Sequence, residues 1–384
     1  MIGYAPHLPA LAILLIVLLL HFQIWRWLMA AGGVRRSFSR RLAASLAMGF
    51  VVALMLAGFS LSFARVLLAV PPGPWIAWMR AAALGWALWS IGMFLAVFLW
   101  RRIPEFDPGR RRLLQAASGA LLAAPVVAGG VGAFVERTRL VAREVDLPID
   151  GLPPALQGLR LVQLTDIHLG PFLSEKELVR AVDMANEFRA HIALVTGDLI
   201  TDRGDPLDAC LRQLSRLKSS DGIFACMGNH EGYTRVENYT ARKGRRLGIE
   251  FLRGASHLIR FGDASLNLAG VDHQRMGGPY LVDGGRLLRE GSFNVLLSHN
   301  PDVFPVAAAQ GYGLTMAGHT HGGQLAFELF GLSLNLSEFF TPYVHGVYRS
   351  GPSAVHVSRG IGTVGIPVRL GAPPEVNLVR LCAT

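Results

Sequence analysis

Four apolar stretches, 8–28, 42–63, 81–100 and 113–135, dominate the first third of this 384-residue chain, each about 20 residues long. At a helical rise of 1.5 Å per residue, that length matches a hydrocarbon core of about 30 Å. Lipid offers no partner for backbone N–H and C=O groups, so a single segment of this kind can cross only as a helix. We therefore expect a region of about four transmembrane helices over 1–135. Composition agrees: 51% of residues are hydrophobic and 17% charged, against about 25% charged in ordinary soluble domains. The alternative, buried helices of a large soluble protein, fits such long uncharged runs less well.

Loop charge sets the expected orientation. Arg35, Arg36, Arg40 and Arg41 separate the first two stretches, and Arg101, Arg102, Arg110, Arg111 and Arg112 the last two. The positive-inside rule places both loops in the cytoplasm. The loop with Pro71, Pro72, Gly73 and Pro74 has only Arg65 and Arg80 at its flanks and should face outward. Everything after Val135 then lies outside the cytoplasm, in a multi-pass protein of the cell (inner) membrane. Arg111-Arg112-Leu113-Leu114 resembles a twin-arginine export signal, and cleavage there would export the same half. His21 and Gln23 sit beside Trp25, Arg26 and Trp27, as interfacial residues do; a transport path along them is the rival reading.

The net charge of +10 does not point to nucleic acid. Residues 1–150 hold 15 Arg against 6 acids, so the excess belongs to the membrane loops, and no nucleic-acid partner is expected. Cys210, Cys226 and Cys382 lack C-x-x-C spacing, which supports neither a disulfide framework nor a zinc knuckle; a single pair such as 210–226 stays open.

Residues 136–157, with Pro148, Pro153 and Pro154, read as a linker to a second domain over 158–384. Strand-like runs follow at 159–165, 192–196, 223–227, 265–271, 294–298, 314–317, 354–358 and 376–381. Ser174 and Glu177 form a capping box ahead of a helix with Leu178, Ala181, Val182, Ala185 and Phe188 on one face. The pattern is that of an α/β sandwich. Five of these runs end in polar blocks: Asp166-Ile167-His168, Gly197-Asp198, Gly228-Asn229-His230-Glu231, Ser298-His299 and Gly318-His319-Thr320-His321. Side chains two apart on extended backbone point the same way, so Asp166 should converge with His168, and His319 with His321. Carboxylate oxygen with neutral imidazole suits two divalent ions of the Mn, Fe or Zn type, since the donors exceed what one ion needs.

These ordered blocks resemble the signature of the calcineurin-like metallophosphoesterases, over roughly 159–384. The tail, with Arg359-Gly360-Ile361-Gly362, Pro367-Val368-Arg369 and Pro373-Pro374-Glu375, resembles the YkuE-like branch, and the apolar region fits proteins described as transmembrane with a metallophosphoesterase domain. The resemblance implies a four-layer α/β/β/α sandwich. It implies that Asp166, His168 and His321 hold one metal ion, that Asn229, His299 and His319 hold the other, and that Asp198 bridges them. His230 would steady the phosphoryl group or protonate the leaving group, while hydroxide shared by the ions attacks in line. The implied partner is a phosphate ester, lipid-linked or from the cell envelope. Two rivals are a lipid pyrophosphatase of the UDP-2,3-diacylglucosamine type with a cytoplasmic site, and a catalytically silent membrane sensor or scaffold.

Other groups are weighed more plainly. His191, His257, His273, His345 and His356 read as surface or locally bonded, His273 being the best placed for substrate. Arg242, Lys243, Arg245 and Arg246 read as a solvated helix face, and Arg359 as the better anion candidate. The apolar run of Phe327, Leu329, Phe330, Leu332, Leu334, Leu336, Phe339, Phe340 and Tyr343 reads as core packing, with a membrane-dipping lip as the second reading.

Overall fold

The computed structural model describes residues 7–30, 32–68, 74–100, 124–275, 277–329 and 332–384. The chain divides into two compact units, Met1–Gly129 and Gly130–Thr384.

In the first unit, α1 (His7–Ala30), α2 (Phe38–Leu68) and α3 (Pro74–Trp100) contain the first three apolar stretches. Val17, Met55 and Ala87 meet at their common interface, while Leu19, Leu46 and Phe50 face outward at 59, 65 and 66% exposure. Among the described residues one helix, Phe38–Gly58, is long and apolar enough to cross a membrane, with a shorter apolar stretch at Leu14–Ala30. Four crossings are thus not established. Of the fourth stretch, 113–123 lies outside the described residues, as do Arg101, Arg102 and Arg110 to Arg112; 124–134 is helical. His21 is buried, receives a hydrogen bond from Trp86 Nε1 at 2.9 Å, and bonds the carbonyl of Val17 through Nδ1 at 2.7 Å. Nε2 therefore links α1 to α3, while Nδ1 bonds within α1.

The second unit contains two six-stranded sheets and a hairpin of β10 (Ala326–Leu329) with β11 (Leu332–Asn335). The first runs β1 (Val141–Ile149), β14 (Glu375–Ala383), β2 (Arg160–Leu164), β3 (Ile192–Val195), β4 (Ile223–Ala225), β5 (Ile249–Phe251). The second runs β12 (Gly346–Ser350), β13 (Ser353–Val357), β9 (Leu314–Ala317), β8 (Phe293–Leu297), β7 (Ala264–Gly270), β6 (Ala255–Phe261). Strands β2 to β5 are parallel, as are β13, β9, β8 and β7. Strand β3 shows why: all four of its residues are buried. Ile192 and Leu194 enter a core shared with β7, β8 and β9 of the other sheet. Ala193 and Val195 face the helices α4 (Glu175–Glu187) and α5 (Leu207–Leu214). A strand covered on both faces reads as a continuous apolar run rather than an alternating one. The expected capping box at Ser174 and Glu177 is present at the start of α4.

Three expectations are corrected. Residues 136–157 are no bare linker: β1 pairs along its whole length with β14. Its edge position tolerates Arg143, Glu144, Asp146 and Pro148, which masked the strand in the sequence. Cys210, Cys226 and Cys382 are all free thiols, which closes the 210–226 pairing. Of the run read as core packing, the side chains of Phe327, Leu329, Phe330, Leu332, Leu334 and Leu336 lie outside the described residues, and the other three separate. Phe339 and Phe340 are 82 and 72% exposed, whereas Tyr343 packs on Phe304 at 5.7 Å between ring centroids.

Candidate metal centre

The candidate donors follow the carboxyl ends of β2, β3, β4, β8 and β9, the edge at which parallel sheets present ligand sites. Two groupings of the implied donors emerge. Asp166, His168 and His321 offer ligand atoms within 4.8 Å of one another, as do Asp198, His299 and His319. A third grouping joins His168, Asp198 and His230. Asn229 lies between Gly228 and His230, whose backbone N–H donates to Asp198 Oδ1 at 2.9 Å.

The backbone reason differs from the expected one. Strands β2 and β9 stop at Leu164 and Ala317, before the donors, and Asp166, His168, Asp198, His319 and His321 have φ of 49, 49, 55, 76 and 53°. Left-handed turns, not extended alternation, aim these side chains. Asp166 and His168 still converge. His319 and His321 part instead: His321 stacks on His168 at 5.0 Å between centroids, and His319 meets His299 at 4.9 Å.

Glycine makes room where loops touch. A Cβ on Gly228 would lie 2.1 Å from Asp198 Oδ1, and one on Gly318 would lie 2.3 Å from Asp166 Oδ2. No side chain fits either gap.

Hydrogen bonds orient the imidazoles from behind. His299 Nδ1 donates to the Thr196 carbonyl at 2.7 Å, His168 Nδ1 bonds Thr201 Oγ1 at 3.0 Å, and His230 Nδ1 donates to the Thr201 carbonyl at 2.7 Å. Such partners on the outer nitrogen present the inner one to a cation. His168 Nε2 and Asn229 Oδ1 are buried with no hydrogen-bond partner, and His299 Nε2 lies 3.0 Å from Asp198 Oδ2. Buried polar atoms are rarely left so. This set of orphaned donors beside two buried carboxylates fits a divalent metal centre.

Electrostatics match. Burial would raise the Asp198 carboxyl, yet His299, His168 and His230 outweigh it and hold it well below its ordinary value. Burial holds His168 and His319 low, His319 to about 4. In His321, burial and then the Arg369 guanidinium do the same. Neutral imidazoles are the ligand form. His299 is opposite: burial lowers it, but Asp198 and Asp166 draw it up to about 10.

Two residues here were not given a role from sequence. Glu231 is fully buried, and its carboxylate accepts from the N–H groups of Asp198, Leu199 and Gly228 at 2.9, 2.8 and 2.8 Å. It ties the Asp198 loop to the Asn229 loop. Arg369, also fully buried, donates to the carbonyls of Arg359, Gly360, Gly362 and Ala372 and so fixes the segment behind His321. Of the remaining histidines, His273 approaches His319 and His299 at 5.7 and 6.2 Å between centroids. His191 accepts from the Arg160 N–H, and His257 pairs with Glu250.

An α/β fold that gathers carboxylates, imidazoles and an amide oxygen at one sheet edge defines a metal-dependent hydrolase. The model of the calcineurin-like phosphoesterases matches residues 159–323, and the chain belongs to that family. It is a metal-dependent phosphoesterase. The "uncharacterized metallophosphoesterase YkuE" of Bacillus subtilis is 28% identical over 284 residues, 72% of this chain and 98% of that protein. A "transmembrane protein with metallophosphoesterase domain" of Danio rerio is 33% identical over 255 residues, 62% of this chain and 56% of its own length. "Uncharacterized protein YpbG" of Bacillus subtilis is 30% identical over 236 residues, 60% of this chain and 83% of that one.

Proposed function

We propose that this chain is a membrane-anchored phosphohydrolase working with two divalent ions of the Mn, Fe or Zn type. The observation that carries the reading is the meeting of His299 Nε2 and the orphaned His168 Nε2 and Asn229 Oδ1 beside buried carboxylates. In this reading Asp166, His168 and His321 would hold one ion and Asn229, His299 and His319 the other, with Asp198 serving both sites. When bound, such a pair supplies Lewis-acid charge to the phosphoryl oxygens and acidifies water. His230 keeps Nδ1 on the Thr201 carbonyl, which leaves Nε2 to contact a phosphoryl oxygen or to protonate the leaving group.

Anchoring rests on the Phe38–Gly58 helix and the outward apolar side chains of the first unit. Arginine placement favours an extracytoplasmic domain. A lipid-linked or cell-envelope substrate is supported by Phe339 and Phe340, whose turn is tied to the donor loop. Ser337 Oγ donates to the Thr320 carbonyl at 3.3 Å, and Asn335 Nδ2 to that of Gly322 at 3.1 Å. An apolar lip fixed at this edge would meet an acyl chain.

The test is direct. Asp198→Ala and His299→Ala should each abolish manganese-dependent hydrolysis of a generic phosphomonoester or diester and lower bound metal, with expression and far-ultraviolet circular dichroism preserved. Full activity of either variant in a metal-replete assay refutes the assignment.

A further inference from the structure

Arg359 is the basic side chain beside the centre that the fold leaves unanswered. It follows β13, and its stem crosses Gly322, where a Cβ would lie 2.6 Å from Arg359 Cγ and 3.3 Å from Nε. Gly322 directly follows His321, so the guanidinium is held next to the donor loop. The segment carrying it is fixed: Ile361 N–H donates to the Thr165 carbonyl at 3.1 Å and Gly362 N–H to that of Asp166 at 2.7 Å.

Among the described residues its guanidinium has no carboxylate partner of its own. Among the described residues the guanidinium contacts His345 Nε2 at 2.7 Å, while Arg359 Nε is buried without a partner. The neighbouring acid, Glu375, is 2% exposed and already engaged. Its Oε1 accepts from Arg359 N–H at 3.0 Å and from Asn377 Nδ2 at 3.2 Å, and its Oε2 lies 2.9 Å from Arg143 Nε. Arg143 thus occupies that carboxylate, which Arg359 meets through its backbone N–H. Arg369 supplies the contrast, since carbonyls satisfy it from all sides. The fold can saturate a guanidinium and does not saturate this one.

We propose that Arg359, with His345 beside it, forms an anion subsite next to the metal centre that receives a second phosphate group of the substrate. The inference rests on the phosphohydrolase reading and narrows it to diphosphates. A guanidinium fork matches phosphate oxygens in pairs. With one phosphoryl group at the metal centre, a guanidinium whose stem crosses the residue after His321 is placed to take an anion covalently close to it. A soluble diphosphate and a lipid diphosphate share this chemistry.

The experiment uses the full chain in detergent, loaded with manganese. Binding of methylenediphosphonate and methylphosphonate is measured by calorimetry for wild type, Arg359→Gln, Arg359→Lys and, as a control, Arg380→Gln, whose partners are Glu144 and Asp146. Metal retention is read in parallel with a competing chelator. Wild type and Arg380→Gln should favour the diphosphonate by about tenfold or more, Arg359→Lys should keep part of that preference, and Arg359→Gln should erase it. An unchanged preference in Arg359→Gln overturns the subsite, as does equal weakening of both ligands, which marks support of the His321 loop alone. If wild type hydrolyses monophosphate esters yet shows no diphosphonate preference, the subsite falls and the hydrolase reading stands; if it hydrolyses no ester and binds neither phosphonate, both fall. Turnover of a nucleoside diphosphate in solution and of a prenyl diphosphate in phosphatidylcholine vesicles then identifies the source, by which of the two loses more in Arg359→Gln.

Discussion

At the scale of single residues, five candidate donors hold left-handed backbone that costs non-glycine residues about 1–2 kcal/mol each. Such conformations persist where neighbours over-determine them. Glu231 is one such neighbour, with three backbone N–H groups on its carboxylate. Glu231→Ala should therefore lower unfolding free energy by about 3 kcal/mol or more in urea titration, since each stranded buried N–H costs about 1–3 kcal/mol. Bound metal should fall with it; an unchanged midpoint would show that the loops hold themselves. The chemistry of the donors was legible in the polar blocks, because carboxylate and imidazole declare their ligand character wherever they stand. Their aim was not, because Asp166 is met by Gly360 and the His319 N–H by the Asp166 carboxylate, contacts between segments remote in sequence. Glu231 did leave a signal, as a carboxylate three residues after Gly228, the capping position at the start of Asn229–Thr234.

At the scale of elements, strands buried on both faces announced themselves, whereas β1, β5, β6 and β12 did not. Burial in β6 runs mostly intermediate or exposed, and β12 faces solvent along much of its length. Edge strands that carry charge against aberrant pairing lose the apolar run by which strands are recognised. Between the sheets, β13 contributes His356, whose Nδ1 donates to Gln163 Oε1 at 2.8 Å; Gln163 Nε2 in turn donates to Thr196 Oγ1 and the Ala317 carbonyl, both at 2.9 Å. Burial lowers His356 to about 4 from 6.5. Above pH 6.5 both folded and unfolded chains carry it neutral, so its contribution is constant there; as pH falls from 6.5 towards 4, the unfolded chain takes up a proton that the folded chain refuses, and stability drops. Wild type should lose about 2 kcal/mol more than His356→Gln between pH 7 and pH 5 in chemical denaturation. Parallel pH profiles for the two proteins would show that His356 is protonated in the fold.

At the scale of the whole molecule, the proposed function assigns anchoring to the first unit and chemistry to the second. A reporter enzyme fused after Val135 should be active outside the cytoplasm and silent inside; the reverse would promote a cytoplasmic lipid pyrophosphatase. If the domain works on lipid, Phe339→Ser with Phe340→Ser should cut turnover of a lipid phosphate by about tenfold relative to a soluble chromogenic phosphate. An unchanged ratio would remove the lip from the account. Apolar length and arginine bias were legible because the bilayer reads only length, hydropathy and charge; which described helix meets all those demands was not, because that depends on packing. The order of the first sheet carries one more consequence. Strand β14 lies between β1 and β2, and it brings Glu144 and Arg380 together from 236 positions apart. A nascent chain cannot close that sheet until Glu375–Ala383 has emerged, so a truncation ahead of residue 375 should leave β1 and β2 without the strand that joins them.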